Sequence, residues 1–128
     1  MSTGRAEIGR RGEDIACRYL IEKGHTILER NWRSGHLEVD IISLDREGLH
    51  FVEVKSRVAP FSAAPEESVG YVKQKRIIAA AERYIHSRKR IATVFELPDI
   101  SFDVISIIFE GGRIGIEWFP GAYIPIHV

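Results

Sequence analysis

At 128 residues, 45% hydrophobic and 28% charged, the chain has room for one domain with a single core, and its composition argues against a disordered protein. Its 18 lysines and arginines balance 18 aspartates and glutamates, so no overall basic field draws in nucleic acid and any such binding must come from local patches. A single cysteine, Cys17, excludes an internal disulfide, and five histidines scattered singly, with no Cys/His cluster, speak against structural zinc.

The N-terminus lacks the apolar core of a signal peptide, and no apolar run approaches the roughly 20 residues that span a membrane. A cytoplasmic protein without membrane contact is expected, folded as one domain over residues 1–128, with a flexible stretch at 1–8 and a C-terminal tail at 120–128.

The first helix is expected over Gly9 to Glu22, ending at Gly24, with Ile8, Ile15, Tyr19 and Leu20 on its apolar side and Asp14 paired with Arg18 in solvent. Glu13 stands out, because its partners one and two turns on are Ala16, Cys17 and Leu20, which puts its carboxylate at the margin of the buried stripe. As a first-turn acid it equally suits the helix dipole. A short strand at Thr26 to Glu29 comes next, followed by a polar connection from Arg30 to His36. There Trp32, beside Arg33, either stacks on a base or anchors the loop to the core.

Two strand-like runs, Glu38 to Ile42 and Phe51 to Lys55, flank the polar turn Asp45 to Gly48. Alternation puts Glu38, Asp40 and Ile42 on one face of the first run and Phe51, Glu53 and Lys55 on one face of the second, with Leu37, Val39, Ile41, Val52 and Val54 opposite. A hairpin centred between Arg46 and Glu47 sets Asp40 against Glu53 and Glu38 against Lys55. Two carboxylates with Cβ atoms about 5 Å apart repel one another. A hard divalent ion such as Mg²⁺ relieves that repulsion, taking both carboxylates and a backbone carbonyl, that of Val54, while leaving room for water and phosphate, with Lys55 alongside. The alternative is a solvated face on which Glu38 and Lys55 pair across the strands, and these two runs alone leave both readings open.

Val58 to Pro65 reads as a loop, either a flap or a passive connection. A long helix is expected from Glu66 to Arg88, its stripe of Ile77, Ala81, Tyr84 and Ile85 reaching back to Gln74, while Lys75 and Arg76 lean outward. These cations, like the later run Arg88-Lys89-Arg90, are either phosphate contacts or a solvated basic face. Two core strands close the chain, Ser101 to Phe109 and Arg113 to Phe119, joined at Glu110-Gly111-Gly112. Asp103 is expected as a pairing or strand-end acid, and the tail from Pro120 as a loose cover over a sheet edge.

Taken together, Gly12-Glu13, Asn31-Trp32-Arg33, Glu38 to Ile42, Phe51 to Arg57, Lys73-Gln74 and Phe102-Asp103-Val104 resemble the YraN family of bacterial proteins in order and spacing over most of the chain. That family is similar to the PD-(D/E)xK nucleases, archaeal Holliday-junction resolvases among them. The resemblance implies an α/β, restriction-endonuclease-like fold, a central mixed β-sheet flanked by α-helices. It further implies Asp40 and Glu53 as metal ligands for Mg²⁺ or Mn²⁺, Lys55 as the catalytic lysine, Glu13 completing the acidic cluster, and Gln74 as an auxiliary polar residue. Val39 stands in place of the superfamily's proline, Leu37 where many family members have glycine, and Ser101 where they often have arginine.

The function expected on this basis is metal-dependent hydrolysis of DNA, more than RNA, with branched or damaged DNA as substrates. Arg33, Arg57, Lys73, Lys75 and Arg76 are the candidate nucleic-acid contacts. A homodimer is expected by analogy with resolvases, which cut two strands. Two other classes compete: a non-catalytic nucleic-acid-binding module, and a protein-interaction scaffold that keeps the nuclease fold, which the neutral net charge favours.

Overall fold

The computed structural model describes residues 4–59, 70–87 and 99–123. The elements run α1 (Arg5–Glu22), β1 (Thr26–Ser34), β2 (Leu37–Leu44), β3 (Gly48–Val58), α2 (Tyr71–Ser87), β4 (Asp99–Glu110) and β5 (Arg113–Phe119). The strands form one sheet in chain order, β1-β2-β3-β4-β5. Hairpin-type neighbours are antiparallel, whereas β3 and β4, between which α2 intervenes, are parallel. The sheet is therefore mixed.

Each helix covers its own cluster. Ala16, Cys17 and Leu20 of α1 pack on Ile41, Val52, Ile105 and Ile107. Ile77, Ala80, Ala81 and Tyr84 of α2 pack on Leu37, Val39, Ile42, Phe51 and Phe102. Fully burying a Leu, Ile or Phe side chain contributes about 1.5–3 kcal/mol, so these two faces fix both helices to the central strands. A mixed sheet with helices on its faces is the restriction-endonuclease-like α/β architecture expected. No helix among the described residues is long and apolar enough to cross a membrane.

Several boundaries and contacts differ from the sequence reading. Helix α1 begins at Arg5, within the stretch expected to be flexible, and its buried residues are Gly12, Ala16, Cys17 and Leu20. Asp14 pairs not with Arg18 but with Arg30 of β1, at 2.7 Å. Strand β1 runs on to Ser34, through residues read as a loop. It is an edge strand with one neighbour, so its polar side chains sit in solvent without cost, while Trp32 meets Tyr84 edge-on at 5.3 Å. Val58 belongs to β3, and residues 60–65 of the expected loop, 66–69 of the expected helix and 88–90 of the basic run lie outside the described residues.

Strand β5 is not a core strand. It is the other edge, with Ile114 and Ile116 exposed. The two-residue turn before it holds Gly111 at φ 55° and Gly112 at φ 82°, the pair of positive values that a tight hairpin of this twist requires. The start of the tail is anchored rather than loose: the Gly121 N–H donates to Asp103, the Ala122 N–H to the Phe102 carbonyl, and Tyr123 stacks on Phe102.

Candidate active site

The β2–β3 ladder pairs Leu44 with Leu49, Ser43 with His50, Ile42 with Phe51 and Ile41 with Val52, and it stops there. This is the register read from the sequence, and its next pair would be Asp40 and Glu53. The acids thus sit where two strands part. Opening the ladder leaves backbone groups of β3 without their cross-strand partners. The carboxylate of Asp40 takes one of them, accepting the Val54 N–H at Oδ2 over 2.8 Å.

A local irregularity accompanies the fork. Val39 packs with the α2 cluster, whereas Ile41 packs with the α1 cluster, so β2 changes face across Asp40 instead of keeping its alternation. Across the β1–β2 ladder, between the pairs Arg30–Ile41 and Trp32–Val39, lies Asn31 with φ 51°, a left-handed conformation that asparagine tolerates better than most residues. The expected common face of Leu37, Val39 and Ile41 is therefore split.

Glu53 is buried and faces cations from two elements. Lys73, in the first turn of α2, forms an ion pair with its Oε1, and Lys55, one pleat along β3, lies 3.6 Å from the same oxygen. Glu38 does not reach Lys55. Its Cα partner is Arg33 of β1, with which it forms an exposed ion pair at 3.6 Å, so the solvated Glu38–Lys55 alternative is not what forms.

Glu13 approaches from α1. Its neighbour Gly12 lies so close to β3 that a Cβ there would fall 1.7 Å from the Ser56 hydroxyl. Only a residue without a side chain lets the helix settle at this depth. Glu13 then lines a cleft of about 600 Å³ together with Arg5, Val54, Lys55, Ser56 and Arg57. On the α2 side a second cleft, about 620 Å³, is bordered by Glu38, Tyr71, Lys73 and Arg76.

Burial and neighbouring charges shift the titrating groups of the fork. Burial first, then the nearby Glu53 and Glu13 carboxylates, push the Asp40 carboxyl up to about 8, against the opposing pull of the Val54 N–H and Lys73. Burial lowers the Lys55 ammonium, with Lys73 adding to the effect and Glu53 resisting it. Burial also works against the Lys73 ammonium, but its hydrogen bond and ion pair with Glu53 prevail and raise it. A buried Asp raised in this way beside a second acid is the kind of group that clusters at functional sites.

Of the residues singled out from the sequence, Asp40, Glu53, Val54, Lys55 and Glu13 converge, and Lys73 joins them from α2. Gln74 is half-buried next to Lys73, whose ammonium pairs with Glu53. Arg57 and Arg76 border the two clefts, Lys75 lies over the Tyr71 ring at 4.8 Å, and Arg33 points into solvent beside Glu38. Sequence reasoning missed Tyr123. Its ring stacks on Phe102 with centroids 5.3 Å apart, and burial, then Glu53 and Asp103, raise its phenol above the ordinary range. No sequence pattern ties this tail residue to the fork.

The family model described as "Uncharacterised protein family UPF0102" matches residues 12–107. The chain belongs to the UPF0102 family. The matched span takes in Glu13, the acidic fork and the first turn of α2. The UPF0102 protein of Anaeromyxobacter dehalogenans is 39% identical over 120 residues, covering 94% of this chain and 86% of its own. That of Chlorobium phaeobacteroides is 47% identical over 111 residues, 84% of each chain, and that of Bacteroides thetaiotaomicron 38% over 120 residues, 93% of each. These UPF0102 names state no activity, so the chemistry has to be argued from the site.

Proposed function

We propose that this UPF0102 chain is a metal-dependent endonuclease of the PD-(D/E)xK type that hydrolyses phosphodiester bonds in DNA, branched or damaged DNA included. The observation that carries the reading is the fork itself: Asp40 and Glu53 at the parting of β2 and β3, with Glu13 across from them and Lys55 and Lys73 on Glu53. The donor set fits a hard divalent cation. Asp40 and Glu53 with the Val54 carbonyl offer the few oxygen ligands from which Mg²⁺ or Mn²⁺ is held while keeping room for substrate. When bound, the cation supplies Lewis-acid stabilisation of phosphate charge and activation of water.

The chain's own residues divide the remaining work. The Val54 N–H fixes the Asp40 carboxylate. Lys55 stands where it can orient a water or stabilise charge on the phosphate oxygens, and its lowered ammonium pKa suits proton handling. Arg5 and Arg57 on one side, and Arg76 on the other, give the two clefts local positive charge that the neutral chain lacks overall.

A second reading, a non-catalytic nucleic-acid-binding module, has one observation in its favour: the Lys73 ammonium already neutralises Glu53. One experiment separates the two. Labelled linear, single-stranded, flapped and four-way-junction DNAs are incubated in Mg²⁺ or Mn²⁺ with the wild type and with an Asp40→Ala, Glu53→Ala double variant. Cleavage by the wild type alone is expected. Binding without cleavage by either protein would transfer the assignment to the binding module, and absence of both to the scaffold.

A further inference from the structure

At the opposite end of the β2–β3 ladder, about three residues or 10 Å along β3 from Glu53, the fold gathers a second polar cluster. His25, just after α1, Asp45, at the β2–β3 turn, and His50, on β3, present ligand atoms that all lie within 4.8 Å of one another. Two histidines that stand apart in the sequence thus become neighbours, their ring centroids 4.5 Å apart. We propose that His25 Nε2, His50 Nε2 and the Asp45 carboxylate form a site for a divalent transition-metal ion, with Zn²⁺ the best match, separate from the acidic fork.

Donor chemistry comes first. Two imidazole nitrogens and one carboxylate are a borderline-soft set that prefers Zn²⁺, whereas the all-oxygen fork suits Mg²⁺. Distances agree. Ligands held at about 2.0–2.2 Å around a tetrahedral ion lie roughly 3.3–3.5 Å from one another. Asp45 Oδ2 is 3.4 Å from His25 Nε2, and Asp45 Oδ1 is 2.9 Å from His50 Nε2.

Both rings are held by their other nitrogen, the arrangement by which proteins aim a metal-binding histidine. His50 Nδ1 is 2.8 Å from Asp103 Oδ2, and His25 Nδ1 is 2.9 Å from the Ser43 hydroxyl, so both Nε2 atoms turn toward Asp45. Asp103 is fully buried and fixed in turn by Ser101, the Trp118 indole N–H and the Gly121 N–H. Asp45 is oriented by the Glu47 and Gly48 N–H groups on its Oδ1. Its side chain keeps 17% exposure, which gives the site a route to solvent. The metal replaces the proton between Asp45 and His50, while the Nδ1–H bond to Asp103 is kept. It would clamp the α1–β1 connection and the β2–β3 turn to β4 through that bond.

The test uses the full chain carrying Asp40→Ala and Glu53→Ala, stripped with a chelator, so that failure of the nuclease reading does not touch it. Zn²⁺ titration is followed by equilibrium dialysis and by imidazole ¹⁵N spectra, and Co²⁺ by its visible absorption. One equivalent of Zn²⁺, selective shifts of the His25 and His50 nitrogens and a tetrahedral Co²⁺ spectrum are expected. His25→Gln should weaken binding at least about tenfold, and Asp103→Asn by about 10–100-fold. No metal uptake by the folded double variant, or uptake that leaves these two imidazoles unshifted, overturns the site in favour of a self-satisfied hydrogen-bond network. The spectra decide this even if a histidine variant does not fold.

Discussion

Asp40 and Asp103 are both inward carboxylates of the same sheet, yet their environments drive them in opposite directions. Asp40 is pushed up to about 8 by burial and by Glu53 and Glu13, with one backbone N–H as its hydrogen bond. Burial acts on Asp103 in the same sense, but His50, Ser101 and the Gly121 N–H outweigh it and hold the carboxyl below its ordinary value. Partners, then, decide what a buried acid does. At one end of the β2–β3 ladder the buried acid is matched by several donors, and at the other it has a single backbone N–H beside two further acids.

The largest expected effect would break the end where the buried acid is matched. Asp103→Ala removes the shared acceptor of a buried charged network, and a stability loss of about 3–5 kcal/mol is expected from urea unfolding, with a lowered midpoint and unchanged slope. At the fork the sign reverses. Asp40 binds more protons folded than unfolded between its ordinary range near 3.8 and about 8, so the wild type loses stability as pH rises across that window and the loss is complete above it. Asp40→Asn should therefore raise the thermal midpoint relative to wild type at pH 8.5 and lose the difference near pH 4, while abolishing cleavage. A variant destabilised at both pH values would show that the carboxylate is satisfied after all.

Catalysis sharpens the contrast further. Lys55→Ala should lower cleavage by about 10²–10³-fold with little change in unfolding free energy, checked by single-turnover kinetics beside a urea curve. Metal affinity at the fork should climb by up to about tenfold per pH unit below about 8 and level off above it, read by titration calorimetry with Mn²⁺, because Asp40 must give up its proton. Lys73→Gln should raise that affinity about fivefold, since its half-exposed ammonium competes for Glu53 at roughly 1 kcal/mol. The smallest effect is expected from Glu38→Gln. Its exposed pair with Arg33 should be worth under about 0.5 kcal/mol, near the resolution of a denaturation curve.

The central hairpin was legible because its information is local. A polar turn between two alternating runs dictates the register, and with it the approach of Asp40 to Glu53. Alternation failed where the backbone departs from a regular strand, at Asn31 and Asp40, since nothing in a two-residue period announces a left-handed residue. The second half of strand β1 reads as a loop in sequence because an edge strand carries polar residues much as a loop does. Strand β5 reads as a core strand because isoleucines look buried in sequence, although a sheet edge leaves Ile114 and Ile116 exposed. Lys73 and the His25–His50 pair depend on contacts between distant elements, which composition and spacing do not encode.

The missing side chain at Gly12 gives the molecule an adjustable width. With α1 seated directly on Ser56, the wall that carries Glu13 stands only as far from β3 as bare backbone allows. A methyl group there would act as a wedge, lifting that wall outward and spreading the mouth of the cleft. Gly12→Ala is thus a way to alter the calibre of what enters without changing a single charge.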